Sequence, residues 1–195
     1  MQPVNQLPGR DPAPTPDLQL LEAFVNTNDL EEERDEIGSP DRLHDWLVAV
    51  GALGERKVVS SQAHARALDV REGLRALGRV NNGEPLEAQR IARLNAAAAD
   101  LPLLAGVPDS EHWQLRPASG GIDGFLARLL AAMVRAMADG SWSRVKACRN
   151  DTCRWLFFDQ SRNRSGTWCS MAICGSRMKS RTYRARRRPS AAPAG

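Results

Sequence analysis

Aromatic side chains are scarce in this 195-residue chain: they make up 5% of it, as five tryptophans, four phenylalanines and one tyrosine. Its core must therefore rest on leucine, valine and alanine packed around few rings. Histidine is scarcer still. His44, His64 and His112 lie apart from one another and from every cysteine, so each reads as an ordinary histidine rather than a ligand. Long apolar runs are missing. The most apolar helical stretch, residues 122–138, contains Asp123, Arg128 and Arg135, whereas a membrane span needs about 20 apolar residues. Residues 1–17 hold no apolar h-region, which argues against a secretory signal and for a cytoplasmic location. There is no glycine-rich phosphate loop, no HExxH and no Ser/His/Asp set of known order. Gly120-Gly121 with Gly124 lacks the preceding strand and the spacing of a dinucleotide fingerprint. These absences leave an enzyme reading without residues.

What is present is an uneven charge. The whole chain is +4, with 27 basic and 23 acidic residues. Residues 141–195 hold 13 of the bases and only Asp151 and Asp159 among the acids, a net +11, which leaves −7 on residues 1–140. A basic end on an otherwise acidic chain points to a polyanion as partner.

The pattern of apolar residues divides the chain further. Five prolines before residue 17 predict a disordered arm over 1–17. Leu18, Leu21, Phe24 and Val25 fall at helical spacing. Ser39-Pro40-Asp41 is a helix start, followed by Leu43, Trp46, Leu47 and Val50 and closed by Gly51. Ser60/Ser61 opens a longer helix with Ala67, Leu68, Leu74 and Leu77 inward, ended by Asn81-Asn82-Gly83. Pro85 opens the next, carrying Leu86, Ile91 and Leu94. Around Trp113 the alternation predicts one or two short strands, and both Trp46 and Trp113 read as core. Residues 122–139 form the strongest helix, with Phe125, Leu126, Leu129, Leu130, Met133, Val134 and Met137 in one wide stripe. After residue 140, two short strands flank the first cysteine pair, a polar loop covers 159–167, and a basic helix runs from Cys174 to about Arg188. The tail 189–195 is expected to fray. No internal repeat is found. The expected fold class is mostly α (α+β): a helical domain over 18–140 with one or two short strands, and a small module over 141–188 built from a short hairpin and a basic helix.

All four cysteines lie within that module, as Cys148-x4-Cys153-x15-Cys169-x4-Cys174. Two close pairs joined by a loop suit a tetrahedral thiolate site, each pair closing a short chelate loop. Zn²⁺ is the expected ion, structural and one per chain, because four thiolates leave no open position for water. Two disulfides, an iron–sulfur cluster and unligated buried thiols are the alternatives. A module this small with so thin a core needs a staple. Its core is expected to be separate from that of the helical domain.

Residues 144–188 resemble the CGNR zinc finger. The resemblance rests on K-x-C-x4-C (Lys146, Cys148, Cys153), on Trp155–Asp159 with Ser161–Arg164, on Trp168-Cys169-Ser170-Met171 and on Cys174-Gly175-x-Arg177. That finger occurs at the C-terminus of proteins with an ABATE domain, a bacterial family described as stress-induced transcription regulators. Phe24-Val25-Asn26-Thr27 and Leu43-x2-Trp46-Leu47-x3-Gly51 resemble the family's N-terminal signature. The resemblance thus spans about residues 18–188. One position departs: the motif's asparagine is Ser176 here.

The resemblance implies a DNA-binding transcription regulator, and the charges imply the same. Arg177, Lys179, Arg181, Arg184, Arg186, Arg187 and Arg188 lie on the basic helix, and no acid follows Asp159. Arginine grips phosphate bidentately and reads guanine edges. Residues 177, 181, 184 and 188 share a helix face and are expected to meet duplex DNA. Arg177 and Arg181 are expected to read bases, and Arg186, Arg187 and Arg188 to contact phosphate. Arg162, Asn163 and Arg164 are expected to clamp phosphate from the loop, and Ser176 is included among the contacts. Two other readings stay open: a protein-interaction module of the transcription machinery, and a redox sensor whose thiolates release zinc. The helical domain is left as a sensor of a small-molecule effector, a homodimerisation unit, or both. No membrane partner is implied.

Overall fold

The structure is a computed structural model that describes residues 12–107 and 113–187; the side chains of Thr182, Ala185, Arg186 and Arg187 are not described. Six α-helices and three two-stranded antiparallel pairs follow one another among the described residues: α1 (Pro16–Val25), β1 (Asn28–Asp29), β2 (Arg34–Asp35), α2 (Pro40–Ala49), α3 (Ser61–Asn81), α4 (Ala88–Ala99), β3 (Leu103–Gly106), β4 (Gln114–Pro117), α5 (Gly121–Ala138), β5 (Val145–Ala147), β6 (Leu156–Phe158) and α6 (Ser176–Arg187). A 3₁₀ turn (Ser141–Arg144) leads into β5, and a π-helical turn (Met171–Gly175) leads into α6. The class is mostly α with small β pairs, as the sequence pattern implies.

The helix starts are set by side-chain caps. Thr15, Ser39 and Ser60 each accept from the backbone N–H three residues on, at 3.2, 3.3 and 3.1 Å, and a proline opens both α1 and α2. Such caps satisfy amides that have no partner within the helix. The expected disordered arm therefore ends sooner than residue 17. Ala13 is buried, and Pro16 and Asp17 already belong to α1. Residues 1–11 and the expected frayed tail lie outside the described residues.

The main core is aliphatic around one cluster of three rings. Phe24, Trp46 and Phe125 meet pairwise at 5.4–5.8 Å between centroids, two of the pairs edge-on, the arrangement that ring quadrupoles favour. Two expectations fail. Trp113 is 76% exposed, and the stripe on α5 is narrower than its sequence suggests, with Val134 and Met137 exposed. α4 opens at Ala88 rather than near Pro85, and Leu86 is exposed.

The larger difference concerns the last 50 residues. The compositional change near residue 140 is not a boundary of packing. Val145, Ala147 and Leu156 of the β5–β6 hairpin belong to the same core as α1, α3 and α5. Three buried or half-buried amides hold this seam. Asn26 pairs both ways with Leu156, its Nδ2 donating to the carbonyl at 3.0 Å and its Oδ1 accepting from the N–H at 2.7 Å. Asn81 donates to the carbonyls of Trp142 and Val145 at 2.7 and 2.8 Å, and Asn82 to those of Ala147 and Thr167 at 2.8 and 2.9 Å. Gly78 lets the hairpin come this close: a Cβ there would lie 2.4 Å from Leu156 Cδ1 and 3.1 Å from the backbone nitrogen of Ala147. The hairpin thus shares the main core, while the four cysteines, Phe157, Trp155 and Trp168 form a second cluster beside it.

Asn26→Ala should cost about 2–4 kcal/mol, because it strands a buried N–H and a buried carbonyl of Leu156. Urea denaturation of the metal-loaded protein measures it. Chelating the metal should also loosen amides near the end of α3 in hydrogen exchange, since they share the seam; unchanged protection from Gly78 to Asn82 would show the two parts to be independent.

Candidate metal centre and nucleic-acid interface

β5 and β6 pair antiparallel, with Val145 opposite Phe158, Lys146 opposite Phe157 and Ala147 opposite Leu156. The turn between them carries Cys148 and Cys153. It is closed by Cys153 N–H donating to the Asn150 carbonyl at 2.8 Å and Cys148 N–H donating to the Trp155 carbonyl at 2.8 Å. The second pair sits around the π-helical turn, with Cys169 just before it and Cys174 inside it. A Cβ at Gly175 would lie 2.5 Å from Met171 Sδ and 3.2 Å from Trp168 Cδ1, so a side chain there would push the exposed Met171 aside.

The four thiols converge. Their sulfurs all lie within 4.8 Å of one another, and all four residues are buried. Cys169 Sγ is 3.5 Å from Cys153 Sγ and 3.6 Å from Cys174 Sγ. These distances exclude a disulfide, whose bond is about 2.05 Å. They suit a tetrahedral ion, since metal–sulfur bonds of about 2.3 Å give edges of about 3.8 Å. The titration of the cluster points the same way. Hydrogen bonds from Cys153 and Cys169 hold the Cys148 thiol well below its ordinary value, while the thiols of Cys153 and Cys169 are pushed up, chiefly by their bonds to Cys148. Burial does the same to Cys174. One thiolate is accommodated without a cation, and four are not. Trp155 and Trp168 pack against the cluster, and Asn150 Nδ2 lies 3.7 Å from Cys174 Sγ. The four cysteines thus form a metal site.

A second buried device shapes the loop after β6. Lys146 and Asp159 are both buried and paired, Nζ to Oδ2 at 2.7 Å. Lys146 Nζ also donates to the carbonyls of Arg164 and Gly166. Asp159 accepts from the N–H groups of Ser161 and Gly166 at 3.0 and 2.8 Å. Gly166 fits only without a side chain, because its Cβ would lie 2.5 Å from Asp159 Oδ1. Burial alone would raise the Asp159 carboxyl, but Lys146 and these N–H donors hold it down to about 2. The loop is thereby folded back on one ion pair, with Arg162, Asn163 and Arg164 exposed on its outside. Arg164 takes a left-handed backbone (φ +52°) and donates to Ser143 Oγ at 3.2 Å.

These features match known families. Residues 144–187 match the family model of the CGNR zinc finger, and residues 18–140 match that of ABATE, described as "putative stress-induced transcription regulator". The chain belongs to the ABATE family. No curated protein matches it. The ABATE match covers α1 to α5, and the finger match runs from the 3₁₀ turn to the end of α6.

The basic residues foreseen for DNA separate into groups. Lys179, Arg181 and Arg184 are exposed on α6. Arg177 is exposed too, but its guanidinium is paired with Glu31 in the β1–β2 turn, so the group expected to read bases already holds an acid of the helical domain. Arg177, Arg181 and Arg184 line one face of a cleft that Asn150 and Thr152 close on the other side. Ser176 Oγ donates back to the Met171 carbonyl at 3.3 Å, which directs the hydroxyl into the π-helical turn rather than outward. The side chains of Arg186 and Arg187, and all of Arg188, lie outside the described residues.

Residues that sequence reasoning missed are the partners of this site. Arg75 is buried on α3 and donates to the Arg154 carbonyl at 2.8 Å and the Val25 carbonyl at 2.6 Å. An arginine on an amphipathic helix reads as solvent-facing, and no local signal marks it otherwise. The Asn81-Asn82 pair reads as a helix terminator, which it is, but its contacts across the seam depend on residues 61–85 positions away.

Asp159→Asn should destabilise the finger by about 3 kcal/mol at neutral pH, because it leaves the Lys146 ammonium buried without its counter-charge. Thermal unfolding of the metal-loaded protein measures this, and Lys146→Met added to it should recover part of the loss. The sign of the pH dependence follows from a folded value of about 2 against the usual 3.8. The contribution is complete above about pH 4 and fades as the pH falls from about 4 to about 2. The gap between wild type and Asp159→Asn should therefore narrow in acid.

Proposed function

We propose that the chain is a non-catalytic transcription regulator that holds one structural Zn²⁺ per molecule and binds duplex DNA through α6 and the loop after Asp159. The observation that carries this reading is a basic helix fixed at its first turn by a metal ligand. Cys174 is buried in the cluster two residues before α6 begins, and the helix that follows exposes Arg177, Lys179, Arg181 and Arg184 with no acid among its residues. A helix that is anchored at one end and cationic along its length suits insertion beside phosphates and into a major groove. Four buried thiolates fill a tetrahedral set, so the ion stabilises the fold and leaves no position for a reacting water. The exposed Arg162, Asn163 and Arg164, on a loop folded by the Lys146–Asp159 pair, serve as a backbone clamp.

Glu31 adds a control on this interface. Its carboxylate occupies Arg177, and a DNA phosphate or base edge at that arginine has to displace it. Arg181 and Arg184, which carry no such partner among the described residues, make the first contacts, and Arg177 joins once Glu31 is released.

Selection of bound duplexes from a random pool, with metal content measured on the same sample, tests the reading. Arg181→Ala should cost about 1–3 kcal/mol on the selected site and less on random duplex. Lys179→Ala should weaken all duplexes alike and lower the slope of log K against log salt by about 0.9 for each phosphate that is no longer neutralised. Glu31→Gln should strengthen binding. Wild-type protein that binds no duplex even at low salt would overturn the DNA reading in favour of a protein-interaction module.

A further inference from the structure

A cleft of about 650 Å³ opens between α3, α4, β1 and the first cysteine turn, a size that suits a small molecule. Its walls carry Arg71, Arg75, Arg79, Arg90, Arg93 and Arg154 with four acids, Asp69, Glu72, Glu87 and Asp151, and Asp35 and Glu84 behind the walls also pair with Arg71, Arg79 and Arg154. The floor is buried and already satisfied. Arg71 pairs bidentately with Asp35 at 2.7 and 2.8 Å and reaches Glu72 at 2.9 Å, while Arg75 binds Glu72 at 3.1 Å and three backbone carbonyls. The rim is looser. Arg93 stands 3.9 Å from Asp69, and the Asp151 partner of Arg154 is 81% exposed. No ion pair joins Arg90 to another described residue. Arg90 and Arg93 lie three apart on α4, so their guanidiniums share a face. Leu30 and Leu68 add an apolar wall to the same cleft, and Leu30 is exposed there.

We propose that this cleft binds a small organic phosphate, its phosphoryl group held by the rim arginines of α4 and α3 and its carbon skeleton laid against Leu30 and Leu68. Arginine forks match phosphate oxygens bidentately, and the loosely held acids at the rim are displaced more readily than the buried ones at the floor. The site also touches the finger. Arg154 follows Cys153 directly, adopts a left-handed backbone (φ +57°), gives its carbonyl to Arg75 and sends its side chain to Glu84 and Asp151. Arg79 shares Glu84 with it and also holds Glu87. A phosphate that draws Arg79 and Arg154 toward itself competes with these acids and so acts on the residue next to a metal ligand. Binding in the cleft does not depend on whether α6 binds DNA.

Calorimetric titration of the full metal-loaded chain, without DNA, decides the matter, with phenyl phosphate as probe and phenol as its uncharged counterpart. Phenyl phosphate should bind saturably at one site per chain, and phenol should give no measurable heat. Arg90→Gln with Arg93→Gln, on the exposed face of α4, should weaken phenyl phosphate about tenfold. Arg181→Gln with Arg184→Gln, on α6, should leave it within about twofold while weakening duplex binding. The proposal is overturned if phenyl phosphate fails to saturate at millimolar concentration, if the α4 variant binds as well as wild type, or if the α6 variant loses as much affinity as the α4 variant. Failure of duplex binding alone leaves these outcomes unaffected.

Discussion

Three side-chain amides, from Asn26, Asn81 and Asn82, hold the backbone of the finger against the helical domain. Each satisfies carbonyls or an N–H that the short hairpin cannot pair within itself, and in a low-dielectric seam such bonds are costly to leave unmade. Gly78 sets the distance at which they form. Around them Val145, Ala147 and Leu156 complete the core of α1, α3 and α5. The finger is therefore packed onto α3 as part of one body rather than tethered beside it, and the direction of α6 is fixed relative to the helical domain through the cysteine cluster.

Charge is arranged in layers around that seam. Arg71 and Arg75 are buried with Asp35, Glu72 and backbone carbonyls as partners, and Lys146 is buried with Asp159. These groups are structural: each is desolvated and fully engaged, so removing one partner strands the other. Further out the pairs are less deeply buried. Arg79 and Arg154 share Glu84 at the edge of the arginine-lined cleft, and Arg177 meets Glu31 at the surface. The surface pair of Arg177 and Glu31 exchanges partners at small cost, whereas the pairs on Glu84 are half-buried and more costly to break. The net +11 of the last 55 residues is thus only partly available to a polyanion, because some of its arginines are engaged by acids of the helical domain.

The same layering links the two candidate sites. Arg154, the residue after Cys153, lines the cleft, and the β1–β2 turn carries Leu30 into the cleft and Glu31 onto Arg177. The proposed cleft and the proposed duplex interface thus touch adjacent residues, Leu30 and Glu31, of one short turn.

Much of this was legible in the sequence, for local physical reasons. Helix starts at Ser39 and Ser60 depend on a hydroxyl and its next three residues. The cysteine set depends on spacing within 27 residues, and the basic helix on composition alone. The family signature was readable in the same way, because its motifs are short and contiguous. The tertiary structure decided what those motifs are for. Asn26 reads as the end of a helix, yet its partner is Leu156, 130 residues away. Asn81-Asn82 reads as a helix terminator until β5 is laid across it. Asp159 reads as a loop acid, and only burial beside Lys146 makes it the anchor of that loop. Trp113 and Met137 read as core because their residue types are apolar, while exposure depends on what packs above them. Sequence determines what a residue does to its own few neighbours; which charges are buried, and which remain free to bind, is settled only when distant segments share one interior.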